Sequence, residues 1–524
     1  MTNNRKSRAD ALLESSLPVR FVRYLWNAVL DSRIYAFLYR IVAFFGAAYE
    51  SSTLRAHLAG GKTLEGTAAG QSKVYAFLAR LVGVPVGLSR RIVTGLRPAF
   101  AGSIPGKAYH AVTRGLGFDR VYTLFTAFLA VFLFLVPHDY WANPFGLVFA
   151  ALLLLLYLIA CGAAQTKPGE NSRGLWASFL FFGFCLAVST LISYDVSDSV
   201  RVLSFFVTSF LLCLCVYAAA RREEDLTVFF AFLYACLVFT AVIAVAQRLL
   251  GVEADASLTD LSLNADMPGR VFSTLGNPNN YAEFLVLFLP YGAAFVITRR
   301  SLAARLITLA GLLLGVGALF LTFSRSGWIA FAIALFVFVL LFDKRYLPVL
   351  FMAVLFALPL LPRNVLNRIL TIGNMKDSSS SYRLDIWTGC LKMLKDYWFT
   401  GVGLGTGGFG KIYPPYAVGT SGVAPHSHMH FMEMLIELGF LGFISYVTLT
   451  FSLIRRSFAA ASKTVPQTVR LAAIASASAM TGIVLIGCFE YCWFYPRVMF
   501  AFFLTAGLAM AAHRQARPYL GKKN

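Results

Sequence analysis

From Val121 onward the chain is a succession of apolar runs, most of them long enough to cross a bilayer as a helix, which takes about 20 residues. About twelve such spans can be drawn, near 121–137, 145–163, 174–193, 200–220, 226–250, 280–298, 306–323, 327–342, 347–362, 430–454, 471–494 and 498–512. In hydrocarbon every backbone amide must be paired within its own segment, so these runs read as helices. The expected fold is therefore an all-α polytopic membrane protein of about 12 transmembrane helices with one large external loop. Composition agrees: 58% of residues are hydrophobic and 14% charged, which excludes an ordinary soluble domain. The first span begins only after roughly 120 residues, a placement that does not read as a secretory leader.

One long stretch interrupts the pattern. From Arg363 to about 430 the sequence has no span-length apolar run, yet spans flank it on both sides, so it is expected as a large loop on one membrane face. It holds three of the seven histidines, His426, His428 and His430, within five residues. If the protein performs chemistry, this loop within the helical domain 121–512 is the place to look.

Charge orients the spans. Arg221, Arg222, Arg299, Arg300, Arg305, Lys344, Arg345, Arg455, Arg456, Lys463 and the basic tail 513–524 fall on alternate short loops. By the positive-inside rule those loops and both termini face the cytoplasm. The opposite connections, among them PHDYWANP and SYDVSD, carry almost no basic residues, and the long loop is expected with them outside. Residues 1–120 carry 17 Lys or Arg against 6 Asp or Glu, interleaved with aromatics at helical spacing. This region reads as basic amphipathic helices lying on anionic lipid, rather than as a nucleic-acid-binding arm. Most of the eight cysteines, among them Cys161, Cys185, Cys213, Cys215 and Cys236, sit inside apolar spans and none forms a CxxC pair, which argues for packing roles.

Several polar groups share the expected external face. They are Arg270, the GNPNN segment with Asn277 and Asn280, the SRSGW turn with Arg325 and Ser326, and Arg497 after YCWFYP. Arg325 is costly in a span-to-span turn and is therefore a functional candidate. The glycine run GLGTGG superficially fits a nucleotide-binding pattern, but no strand and helix bracket it. It reads as a flexible turn or as amides facing a phosphate. The three histidines leave three readings open: a metal site, helix caps at the interface, or a proton acceptor near pH 7. Glu433 and Glu437, one helical turn apart, are expected either to orient one of them or to hydrogen-bond within the bundle.

HMHFMEMLIELGFLG resembles the H-N-x-Y-L-x-x-L-x-E-x-G-x-x-G signature of the bacterial O-antigen ligase/polymerase family. YRLDIWTGCLKMLKDYWFTGVGLGTGGF is similar to that family's R-x-x-x-W…G-x-G approach, and FSRSGW to its S-R-[GS] turn. The resemblance covers roughly 270–445. Met429 replaces the usual asparagine, His426 and His430 add neighbours, and the basic N-terminal region lies outside it. The resemblance implies a helical membrane glycosyltransferase that moves a glycan from a polyprenyl-pyrophosphate donor to a hydroxyl acceptor on a lipid, glycan or protein. It implies no nucleotide sugar, cofactor or obligatory metal. His428 is then the expected general base, with Arg325 and Arg383 on the pyrophosphate. Arg270, Asn277, Asn280, Ser326, Trp387, His426, His430 and Arg497 are expected to bind substrate. A transporter or flippase for lipid-linked sugars is the alternative, disfavoured because the polar groups gather at one face rather than at the midplane.

Overall fold

The computed structural model of the chain describes residues 14–50, 117–141, 173–252, 269–357, 362–370, 378–419 and 421–520, with residues 254 and 359 and scattered positions among 88–111 and 145–155. Most of the expected span 145–163, most of the basic region between 51 and 116, and residues 371–377 ahead of the serine run lie outside the described residues.

In chain order the helices are α1 (Leu17–Leu30), α2 (Arg33–Glu50), α3 (Gly117–Leu135), α4 (Arg173–Leu191), α5 (Val196–Ala219), α6 (Glu223–Leu250), α7 (Pro278–Thr298) and α8 (Leu302–Leu321). They continue as α9 (Arg325–Asp343), α10 (Leu347–Ala357), α11 (Arg363–Leu370), α12 (Ser378–Tyr397), α13 (Thr406–Ile412), α14 (His430–Ala460), α15 (Gln467–Ile486) and α16 (Pro496–Ala516). No strand occurs among the described residues. The chain is an all-α polytopic membrane protein: eight of the described helical segments are long and apolar enough to cross a membrane, and α3 and α4 supply shorter apolar helices.

Local sequence sets the boundaries. Asn277, Ser301 and Ser324 cap α7, α8 and α9 by accepting the backbone N–H two or three residues on, and Pro278 and Pro496 open α7 and α16 where no N–H is needed. Within the run 347–362 the described helix is α10, and a 3-10 turn at Lys344–Tyr346 joins it directly to α9. One expected span ends early. The run 471–494 is helical only to Ile486, and 487–495 forms an irregular bridge to α16.

Burial ranks the helices. The membrane-length windows of α7 and α16 are 83% and 94% buried, whereas that of α8 is 17% buried. α7 and α16 share the centre with α15, whose run Ala472–Ala479 (AAIASASA) keeps side chains small enough for close approach. At one end of the bundle, arginines cap foreign helices. Arg470 donates from Nη2 to the Leu341 and Phe342 carbonyls of α9, and Arg514 to Tyr217 and Ala220 at the end of α5.

The 363–430 stretch is no open loop. Its described residues fold as α11, α12, α13 and two 3-10 turns, and Ile386, Cys390, Met393, Phe409 and Tyr413 form a small core with Val402 and Ile436. This helical cap is fastened to the bundle where α14 breaks. Gly439 takes φ 66° and ψ −176°, outside the helical region, so the Ile436 and Glu437 carbonyls lose their helical partners. Val402 N and Gly403 N donate to those carbonyls at 2.8 and 3.2 Å, and Phe440 N donates to Phe399 O at 3.2 Å. Backbone passes so close here that a Cβ on Gly439 would lie 2.2 Å from Phe399 O. The glycine run therefore supplies amides to a broken membrane helix, and the reading of those amides as facing a phosphate is replaced.

Candidate active site

The site lies at the other end of the bundle, where α7, α9, α14 and α16 begin and α8 and α15 end. Its centre is Glu490, on the irregular bridge between α15 and α16. Glu490 Oε1 accepts from Arg383 Nη2 of α12 at 2.5 Å and from Asn279 Nδ2 of α7 at 3.3 Å. Its Oε2 lies 3.8 Å from His428 Nδ1. Burial alone would raise this carboxyl, but the Arg383 guanidinium, and then His428, hold it down at about 2. It is a carboxylate at any working pH.

Arg270 joins the same network. Its Nη2 donates to Asn279 Oδ1 at 2.6 Å and its Nε to the Thr322 carbonyl at 2.8 Å. Burial lowers its pKa first, the charge of Arg368 next, and Arg325 and Arg383 add to this against the pull of Glu490, bringing it to about 10. It stays protonated at neutral pH. Three guanidiniums, Arg325, Arg368 and Arg383, and the Glu490 carboxylate thus all act on Arg270.

His428 is aimed by the turn that carries it. Trp387 Nε1 donates to the Ser427 carbonyl at 3.0 Å, and Ser427 N donates to Glu433 Oε2 at 2.6 Å. Held on both sides, the turn puts His428 at φ 52°, a left-handed conformation uncommon outside glycine. His428 N donates to His426 Nδ1 at 3.1 Å, and the two rings lie 4.2 Å apart. Burial, and then the neighbouring His428, lower the His426 pKa to about 3, so that ring is neutral. Glu437 is used up structurally, its two oxygens accepting from Tyr491 Oη at 2.6 Å and Gly405 N at 2.8 Å.

Of the expected site residues, the structure brings together His428, Arg383, Arg325, Arg270, His426 and Trp387. Asn277 caps α7, and the Ser326 hydroxyl lies 3.3 Å from that of Ser324, the residue capping α9. His430 is elsewhere: it is buried among aromatic rings, 4.5 Å from Trp493 and 5.1 Å from Tyr446. Arg497 and Asn280 line a neighbouring cavity. Three participants were not anticipated. Glu490 is a charge in an apolar run, the same signal that marks Arg325. Asn279 lies inside the GNPNN segment, and Arg368 is hidden in the short amphipathic α11. Among the described residues no group of three His, Cys, Asp or Glu could hold a metal ion.

An arginine cluster and a histidine held beside a carboxylate thus stand at one end of a membrane bundle, a charge arrangement with the chemistry to receive an anion. Residues 310–447, about a quarter of the chain, match the family model described as O-Antigen ligase, which supports the O-antigen ligase/polymerase family for this chain. The match supports glycan transfer in general and a glycosyltransferase-like activity in a membrane setting. No curated protein matches the chain. The match contains Arg325, Arg368, Arg383 and His428, whereas Arg270, Asn279 and Glu490 lie outside it.

Proposed function

We propose that the protein transfers or polymerises a glycan from a polyprenyl-pyrophosphate donor onto an acceptor hydroxyl, at the outer face of the cytoplasmic membrane. The observation that carries this reading is the meeting of two groups at one carboxylate beside Arg270: Arg383 is bonded to Glu490 Oε1, and His428 Nδ1 lies 3.8 Å from Oε2. Arginines bind phosphate oxygens bidentately and remain charged, which suits a pyrophosphate. His428 turns Nδ1 toward Glu490, leaving Nε2 for the acceptor.

In the reaction the acceptor O–H gives its proton to His428 Nε2 while its oxygen attacks the anomeric carbon of the donor sugar. The bond from that carbon to the phosphate oxygen breaks. The electron pair leaves with the polyprenyl pyrophosphate, whose charge the arginines stabilise. The external placement draws support from the basic residues Arg299, Arg300, Arg305, Lys344 and Arg345, which sit at the bundle end remote from the site.

Two measurements test this. Purified protein given a lipid-linked oligosaccharide and an acceptor should form glycosylated product and release polyprenyl pyrophosphate, and transport without a new glycosidic bond would replace it with the flippase reading. For sidedness, exposed Lys392→Cys should react with a membrane-impermeant thiol reagent in intact cells and Arg300→Cys should not, in a background freed of native cysteines. The opposite labelling overturns the external site.

A further inference from the structure

Beside the arginine cluster lies a second concavity of about 310 Å³, closed by the 491–497 segment, by α5 at Arg201 and Val202, and by His138 and Trp141. Its chemistry is one-sided. Arg497 is buried, and its guanidinium donates from Nη1 to the Val136 carbonyl at 2.7 Å, with Nη2 3.4 Å from His138 Nδ1. Its carbon lies 5.4 Å over the Trp141 ring. No carboxylate lies within 4.0 Å of it among the described residues, and no acid is among the residues lining the cavity. The second guanidinium at the wall, Arg201, is paired with Asp198 at the rim. Asn280 lines the same space, and its buried amide nitrogen makes no well-formed hydrogen bond, with the Tyr495 hydroxyl in its neighbourhood.

A buried charge with only neutral acceptors is costly, and an arriving anion offsets the cost. The remaining walls are ring faces: Trp141, Tyr491, Phe494 and Tyr495. Ring faces with a few fixed polar donors suit a ligand that has apolar C–H faces and polar edges, and the size falls at the lower end of small-molecule sites, roughly 300–1,000 Å³. An acyl chain would leave the Arg497 guanidinium without an anionic partner. A pyrophosphate is better served by four neighbouring arginines than by one. The cavity also adjoins the transfer centre, because the His426 ring packs 4.6 Å from Phe494 and 5.6 Å from Tyr491 on the side that leads to His428.

We propose that this cavity is a saccharide subsite for a carboxylate-bearing sugar of the glycan, with Arg497 and the Asn280 amide on the carboxylate and ring faces on the sugar. The assignment rests on the glycan-transfer reading and deepens it, by making an acidic repeat unit the substrate class.

The test uses the full chain in nanodiscs and two probes, a defined uronic-acid disaccharide and its carboxyl-reduced neutral form, titrated by calorimetry. The acidic form should bind at least about tenfold more tightly, the worth of one charged hydrogen bond. Arg497→Gln should bring the two forms to parity, and Arg497→Lys should retain part of the preference. Where Arg497→Gln does not fold, Trp141→Ala should weaken both forms together, and Asn280→Ala should narrow the preference. Equal binding of both probes by the wild type, binding of neither, or displacement of the acidic probe by inorganic pyrophosphate overturns the proposal. Pyrophosphate binding by the arginine cluster is measured in the same sample. Its loss sinks the donor site alone and leaves the comparison of the two sugars intact.

Discussion

Glu490 and Arg383, 107 positions apart in sequence, meet at 2.5 Å in the middle of the site. The pair ties the helical cap to the bridge between the last two membrane helices, and the same carboxylate faces His428. Removing one partner leaves the other charge in a largely buried place, which costs more than losing both.

Glu490→Gln should therefore lower transfer at least about tenfold while the protein still inserts, and Arg383→Gln should do the same. The double variant should be less impaired in thermal stability than the sum of the singles. Strict additivity in the melting temperatures would show that the two side chains do not depend on each other.

His428→Ala should fold, bind the lipid-linked donor and lose about 10²–10⁴-fold in rate. His430→Ala should act on stability instead, since that ring is packed against Trp493 and Tyr446. Full activity in His428→Ala protein would end the general-base assignment.

Lysine should not replace arginine at 325 or 383. It keeps the charge and loses the planar fork, so most activity should vanish at unchanged protein abundance. Near-normal transfer by Arg325→Lys would reduce that residue to an interfacial charge.

Stability should fall with acid through His426. An unfolded histidine titrates near 6.5, and this one near 3. Between those values the unfolded chain binds the extra proton, so stability drops as pH is lowered below about 6.5, by at most about 1.4 kcal/mol per unit. Melting curves at pH 7 and 5 should converge for His426→Gln relative to wild type. An identical pH slope in both proteins would count against a neutral, buried His426.

Gly439→Ala should destabilise by about 1–3 kcal/mol or abolish folding, because the residue sits at φ 66° and its new methyl would meet the Phe399 carbonyl oxygen at 2.2 Å. Gly410→Ala, where nothing lies within 4 Å, is the control and should melt at or above the wild-type temperature.

Much of this architecture is legible in the residues. Span-length apolar runs name their helices because hydrocarbon leaves the backbone no other choice. Arg325, Arg383 and His428 stand out through a short arginine turn and a histidine followed by a spaced glutamate and glycines. What stays hidden is set by tertiary pairing. The helix end at Ile486 is marked only by Gly487, a single glycine in an apolar run, so Glu490 reads as part of a span. The glycine run looks like a phosphate loop, and only the break at Gly439 reveals where its amides go. His430 is separated from His428 by one residue, yet the start of α14 turns it into the aromatic core.

The clasp between 399–403 and 436–440 is made largely of main-chain groups, which every amino acid but proline possesses in full. Apart from its glycines, Gly401, Gly403 and Gly439, which leave no room for a Cβ, this joint does not depend on side-chain identity, and substitutions across α12 and α13 away from Arg383 leave it untouched. Such a joint separates anchorage from recognition. A lineage can remodel the outer cap to suit a new polymer, one substitution at a time, without passing through an ancestor whose cap has come loose.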